Sequence, residues 1–301
     1  MGSFDVGFKK VQWGVEENTS SSRLLAVERS ATNRFWGENA DYPGSSNSNL
    51  GFGARHIGLF YTKKFTLNTQ HSLEYMASLV NPQQGWSNKA INVAGIYTSL
   101  SYTFKHSETN QHTIGLNYGN TPMYIQGTLN PPSSSPQNCG LFVGEISGFN
   151  PYIKSQFDAL ILQVEYFRTQ VNSGTTQYPT CNNYSNHTPT GYTVIAAYKF
   201  IPKIEGVVRY SVLETDGLGT VLGQGVRDGV TTPLATTSYN TVRSYYAGVN
   251  YYIHDQNIKL QLGYEHLDFL GYIASYVAGA PQIGSGSAAA DTIRAQLQLN
   301  F

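Results

Sequence analysis

The chain is short of charge: only 13% of its 301 residues are Asp, Glu, Lys or Arg, against about 25% in ordinary soluble domains. Its 19 basic and 19 acidic residues cancel, so nothing points to a nucleic-acid partner. No run of about 20 apolar residues occurs, which excludes a membrane-spanning helix and leaves spanning strands open, because their signal is weaker. The N-terminus, Met1 to Val6, has no basic start followed by an apolar stretch, so no signal peptide is visible. Cysteine numbers two, Cys139 and Cys181, which allows at most one disulfide.

What the chain has instead is aromatic residues, 13% with 22 Tyr, and 30 Gly. Rings with one polar tip suit the two interfacial girdles of a membrane barrel. The last segment, Asp291 to Phe301, alternates strictly. Ile293, Ala295, Leu297, Leu299 and Phe301 share one strand face, and Thr292, Arg294, Gln296, Gln298 and Asn300 share the other. An apolar outside with a polar inside is the reverse of a soluble protein and fits the closing strand of an outer-membrane β-barrel.

Similar β-rich segments recur at roughly 4–14, 52–64, 71–81, 91–106, 110–120, 139–149, 154–171, 190–201, 204–215, 239–253, 256–269 and 289–301, about twelve in all. Connections at 65–70, 107–109, 150–153, 202–203 and 254–255 are short. Those at 15–51, 121–138, 172–189, 216–238 and 270–288 are long, and 82–90 is intermediate on the long side. This alternation is what an antiparallel up-and-down transmembrane barrel requires, with short periplasmic turns and longer external loops. The expected class is all-β, a single barrel domain over 1–301 in the bacterial outer membrane. Cys139 and Cys181 fall at or in external loops, where they either pair or remain free thiols.

The alternation assigns faces. Tyr192, Val194, Ala196, Tyr198 and Phe200 point to lipid, as do Ile258, Leu260, Leu262 and Tyr264, leaving Lys199, Lys259, Gln261 and Glu265 inside. The same reading puts Lys64, Lys105, Arg209 and Arg294 in the lumen with Glu74, Glu165 and Glu205, since Lys or Arg at the lipid midplane costs about 2–4 kcal/mol. An excess of lumen cations would draw small anions; alternatively, they pair with acids across the wall. Arg168 and Arg243 fall on the outer face near external strand ends, within reach of outer-membrane lipid headgroups.

Four ordered stretches carry a resemblance. Phe4 to Ser22, with Trp13-Gly14-Val15-Glu16 and Thr19-Ser20 inside it, is followed by Glu28-Arg29-Ser30. Leu162-Gln163-Val164-Glu165-Tyr166, Val208 to Leu213 and Ala247 to Tyr252 come later, and Ile293 to Phe301 completes the set. Together they resemble the phosphate-selective porin O and P family. The resemblance implies a 16-stranded homotrimer with a long loop folded into the pore, so that this chain would be the C-terminal part, lacking about four strands and a signal peptide; an even twelve closing alone is the alternative. It puts the constricting loop at 15–51, with Arg23, Arg29 and Arg34 as candidate pore cations and Glu16, Glu17 and Glu28 as candidate partners. Glu28 and Arg29, which match the family motif, serve equally as a loop anchor.

Other chemistry is thin. His56, His71, His106, His112, His187, His254 and His266 show no metal-ligand spacing, and most are expected to be solvated in turns or at strand ends. No catalytic motif is present, and Glu145, Asp158 and Glu165 read as strand carboxylates facing water. No cofactor, metal or enzymatic activity is expected. The leading reading is passive diffusion of small polar or anionic solutes, phosphate included. The alternatives are a non-conducting structural, adhesion or receptor barrel, and a soluble all-β binding protein.

Overall fold

The computed structural model describes residues 2–37, 49–81, 94–126, 141–172, 186–217, 222, 238–277 and 280–300. One antiparallel sheet runs in chain order: β1 (Ser3–Lys10), β2 (Arg55–Thr66), β3 (His71–Asn81), β4 (Gly95–Lys105), β5 (Asn110–Gln126), β6 (Leu141–Phe157), β7 (Leu160–Asn172), β8 (Thr190–Ile201), β9 (Ile204–Glu214), β10 (Tyr239–His254), β11 (Ile258–Val277), β12 (Ala280–Ile283) and β13 (Ala288–Leu299). Every pairing but that of β13 with β11 joins strands consecutive in the chain. β13 returns along the first part of β11, from Ile258–Leu299 to Phe269–Ala288, and β12 caps the far end of β11. Among the described residues no helix is long and apolar enough to cross a membrane.

The strands form because β-branched and aromatic residues alternate with small polar ones, so each strand has one face for each solvent. Leu260, Leu262 and Tyr264 are exposed while Lys259, Gln261, Gly263 and Glu265 are buried. On the outer face, His71, Tyr102, Phe104, His112 and Phe157 form a chain of ring contacts of 4.7–6.3 Å near the short turns. Tyr192, Tyr210, Tyr245 and His266 form another toward the long connections, at 5.0–6.2 Å. Between these rows lie Leu100, Ile114, Leu116, Ile153, Val164, Val194, Val208, Val249 and Leu262, all exposed apolar side chains. Two aromatic rows flanking an apolar band are the surface of a barrel that sits in lipid.

Two expectations need correcting. The connection placed at 150–153 is strand; the turn is at Asp158–Ala159, where Asp158 has φ 49° and its carboxylate accepts from Thr109 and Asn110. Pro151 is tolerated because Asn150 and Pro151 skip the β7 ladder, and the Asn150 amide donates instead to the Tyr166 carbonyl at 2.9 Å. The segment 270–288 is not simply a loop, since β11 continues to Val277 and β12 pairs back onto it. Among the described residues no ladder joins β1 to β13. Phe4 at 79% exposure and Ile293 at 76% stand out on these two edge strands.

After Lys10 the chain leaves the sheet and enters the space the sheet encloses. It forms α1 (Val15–Asn18), a 3-10 turn (Ser21–Arg23) and α2 (Ala31–Gly37). Gly14 at φ 80° makes the entry turn, and a Cβ there would come 2.5 Å from Asn33 Oδ1, so only glycine fits. Every residue of α2 is buried.

Candidate functional site

The interior is organised by the segment 11–37, which rests against strands β6 to β11 and β13. Its first anchor is a run of amides. Asn117 and the Gly14 backbone both donate to Asn150 Oδ1, at 2.8 and 3.1 Å. The Val15 N–H donates to Glu165 Oε2 at 2.7 Å, and Asn33 donates to Glu165 Oε1 at 2.6 Å. These contacts satisfy the open N-terminus of α1, whose N–H groups have no partner within the helix.

The second anchor is ionic. Arg209 of β9, fully buried, reaches Glu16 of α1 at 3.0 Å and Glu265 of β11 at 3.2 Å, and donates to the Glu28 carbonyl at 2.6 Å. Glu16 also accepts from the Ser30 N–H at 2.9 Å and from Asn33 at 3.0 Å; Glu265 accepts from Ser244 at 2.5 Å. With each carboxylate so satisfied, the cost of burying these charges is offset. The Arg209 guanidinium lies 5.0 Å from the Tyr246 ring, whose hydroxyl accepts from the Val27 N–H at 3.2 Å. Tyr246 lies flat over Gly248 and Gly263, a register pair where a Cβ on either residue would overlap its hydroxyl.

Nearer the short turns, wall side chains capture segment carbonyls. Lys259 donates to Leu24 O at 2.9 Å, Asn250 to Leu25 O at 2.8 Å, and Gln298 to Ser22 O at 3.1 Å. Toward the long connections the interior is dry. Tyr97, Phe52, Trp13, Phe167, Trp36 and Phe35 touch in sequence, with centroids 5.2, 4.6, 6.2, 4.8 and 4.8 Å apart. Val80, Ile146, Leu213, Val242, Leu267 and Phe269 pack around them. The Trp36 indole donates to Thr169 at 3.0 Å, so its polar tip is also spent.

A different character appears between the edge strands. Lys10, at the end of β1, is ion-paired with Glu17 of α1, and Arg29 pairs with the same carboxylate at 3.1 Å. Next to Arg29, Glu28 pairs with Arg294 of β13 at 2.8 Å. Five charges thus run from one edge strand to the other across the inserted segment.

The candidate residues from the sequence divide accordingly. Arg209 and Lys259 face inward but line no water: both are sealed beneath the segment and clamp it, which corrects their assignment as pore-lining cations. Arg34 is likewise buried in α2 rather than open to a pore. Lys105 is spent at the turn on Glu108, 2.5 Å away, and Lys199 lies 5.0 Å from the Tyr252 ring. Lys64 is exposed on the inner face opposite Glu74 in register. Arg23 is exposed on the 3-10 turn. Arg29, besides Glu17, donates to the carbonyls of Glu16 and Thr19, and Glu28 takes Arg294, so both bind the segment together.

Arg168 and Arg243 are exposed on the outer face. Glu165 is buried under α1 rather than facing water, and His56 and His187 are buried rather than solvated; the His56 ring stacks on Tyr97 at 5.8 Å. Cys139 and Cys181 lie outside the described residues. Among the described residues no three metal-ligating side chains gather. The sequence reading missed Asn33, Trp13 and Trp36. The available signal was one tryptophan, Trp36, inside the stretch read as a loop, and another, Trp13, at the end of the strand read just before it.

No family model matches the chain, and no curated protein matches it. Among solved structures it is similar to in-vitro folded OmpT, an outer membrane protein of Vibrio cholerae. That match has 12% identity and a TM-score of 0.50, over 98% of this chain and 75% of that one. A Pseudomonas aeruginosa FadL homologue matches with 12% identity and a TM-score of 0.35, over 98% and 74%. LpxR from Salmonella typhimurium matches with 11% identity and a TM-score of 0.23, over 82% and 89%.

At such identities the likeness to OmpT shows the fold, and with the girdled outer face the chain is an antiparallel β-barrel of the bacterial outer membrane. The expectation of a non-enzymatic chain is corrected. The fold shared with OmpT does not by itself decide between a pore and a catalytic site, because one fold hosts unrelated functions. The lack of a recognisable motif therefore excludes nothing.

Proposed function

We propose that the chain is a porin, allowing small polar or anionic solutes to diffuse passively across the outer membrane through a path narrowed by the segment 11–37. The observation that carries this reading is the inserted segment itself, held across the lumen by wall side chains from β6 to β13 and presenting charged groups beside the edge strands. The ordered stretches that resemble the phosphate-selective porin O and P family support it, and that resemblance brings assembly as a homotrimer and phosphate among the solutes. Liposome swelling tests it. Vesicles carrying the protein should swell in small neutral or anionic osmolytes and hold against large ones; vesicles as tight as protein-free controls would remove the porin reading.

A second reading rests on one observation, the dry chain of rings from Tyr97 to Phe35. A barrel sealed by it would be a structural, adhesive or receptor component whose external loops do the work. Such a barrel gives no swelling with any osmolyte.

A further inference from the structure

The inserted segment has two unlike sides. One is dry: Trp13, Ala31, Phe35 and Trp36 are packed out of solvent against β7, β9, β10 and β11. The other carries the charged row Lys10, Glu17, Arg29, Glu28 and Arg294. The side chains of Arg209 and Glu16, in the clamp, are 0% and 4% exposed, whereas those of Arg29 and Glu28 are 26% and 35% exposed. At that exposure Arg29 and Glu28 meet solvent on their open side, as do Lys10 at 24% and Arg294 at 18%, while Glu17 sits between its two cations at 6%. The row also ends on β1 at Lys10 and on β13 at Arg294, so the wet side is the one between these two strands.

We infer that the water-filled route through the barrel runs along this row between β1 and β13, not through the centre of the sheet's curl, and that Lys10, Arg29 and Arg294 are its selectivity-setting cations for small solutes bearing a negative group. Three cations stand against two carboxylates, and their alternation lets a solute exchange one partner for the next along the path, as favourable entry with easy exit requires. The inference rests on the porin reading and adds the location of the path.

Cysteine accessibility tests it. In a chain with Cys139→Ser and Cys181→Ser, single variants Arg29→Cys, Arg294→Cys, Gln163→Cys and Ala31→Cys are folded in bilayers and exposed to a water-soluble anionic methanethiosulfonate. Labelling is read by mass and current by single-channel recording. Positions 29 and 294 should label fully, and current should fall several-fold; position 31 should stay unlabelled. Protection of both 29 and 294 in folded protein overturns the inference, as does block at 163 without block at 29 or 294. Lys10→Cys replaces either arginine variant that does not fold. A chain that conducts nothing sinks the porin reading alone, since labelling still decides whether the row is wet.

Discussion

Arg209 of β9 and Glu16 of α1 meet at 3.0 Å although 193 residues separate them, and neither side chain reaches solvent. This pair ties the inserted segment to the barrel wall. Arg209→Met would leave Glu16 and Glu265 buried without their cation, a loss of about 3–5 kcal/mol. The expected outcome is a lower urea midpoint for unfolding from detergent micelles, followed by tryptophan fluorescence, since Trp13 and Trp36 both report on the segment. A variant with the wild-type midpoint would show that the clamp contributes nothing to holding the segment.

Tyr246 needs the space that Gly248 and Gly263 leave. Gly263→Ala should push the ring off its seat and weaken both the Arg209 contact and the bond from Val27, at about 1–3 kcal/mol. Tyr246→Phe keeps the ring and removes only the hydroxyl, which costs about 1 kcal/mol. Comparison of the two midpoints checks this ordering; the reverse order contradicts it.

Trp36→Ala should cost about 3–5 kcal/mol by emptying the space between Phe35 and Phe167 and leaving Thr169 without its donor. Trp36→Phe should recover most of that loss. Equilibrium unfolding of both variants provides the check.

The facing of the strands was legible in the sequence for a physical reason. The period of two is imposed by strand geometry and survives any change of partner, so Leu260, Leu262 and Tyr264 could be assigned to lipid, and Arg294 to the interior, from the pattern alone. The end of β6 was not legible, because Asn150-Pro151 carries the local signature of a turn, and it is kept in the sheet by its register with Asn117 and Leu116 of β5 and by the bond from Asn150 to Tyr166. The clamp was hidden for a similar reason. Local alternation says that Arg209 and Lys259 point inward, but not that Glu16 and the Leu24 carbonyl arrive from nearly 200 residues or more away to cover them. The helices of the inserted segment, only four and seven residues long, are too short to show helical periodicity.

Leu262→Arg places a cation in the lipid-facing band and should destabilise insertion by about 2–4 kcal/mol. The change Gln296→Arg on the interior face of β13 should cost less. Folding yield into liposomes, read on a gel without boiling, separates the two; equal yields would contradict the facing of β11 and β13.

The most direct test of the central claim is single-channel recording of the folded chain in a planar bilayer under a salt gradient. Stepwise currents, with a reversal potential displaced toward anion preference, are the predicted result. A folded, inserted protein that passes no current, or one that prefers cations, would contradict it.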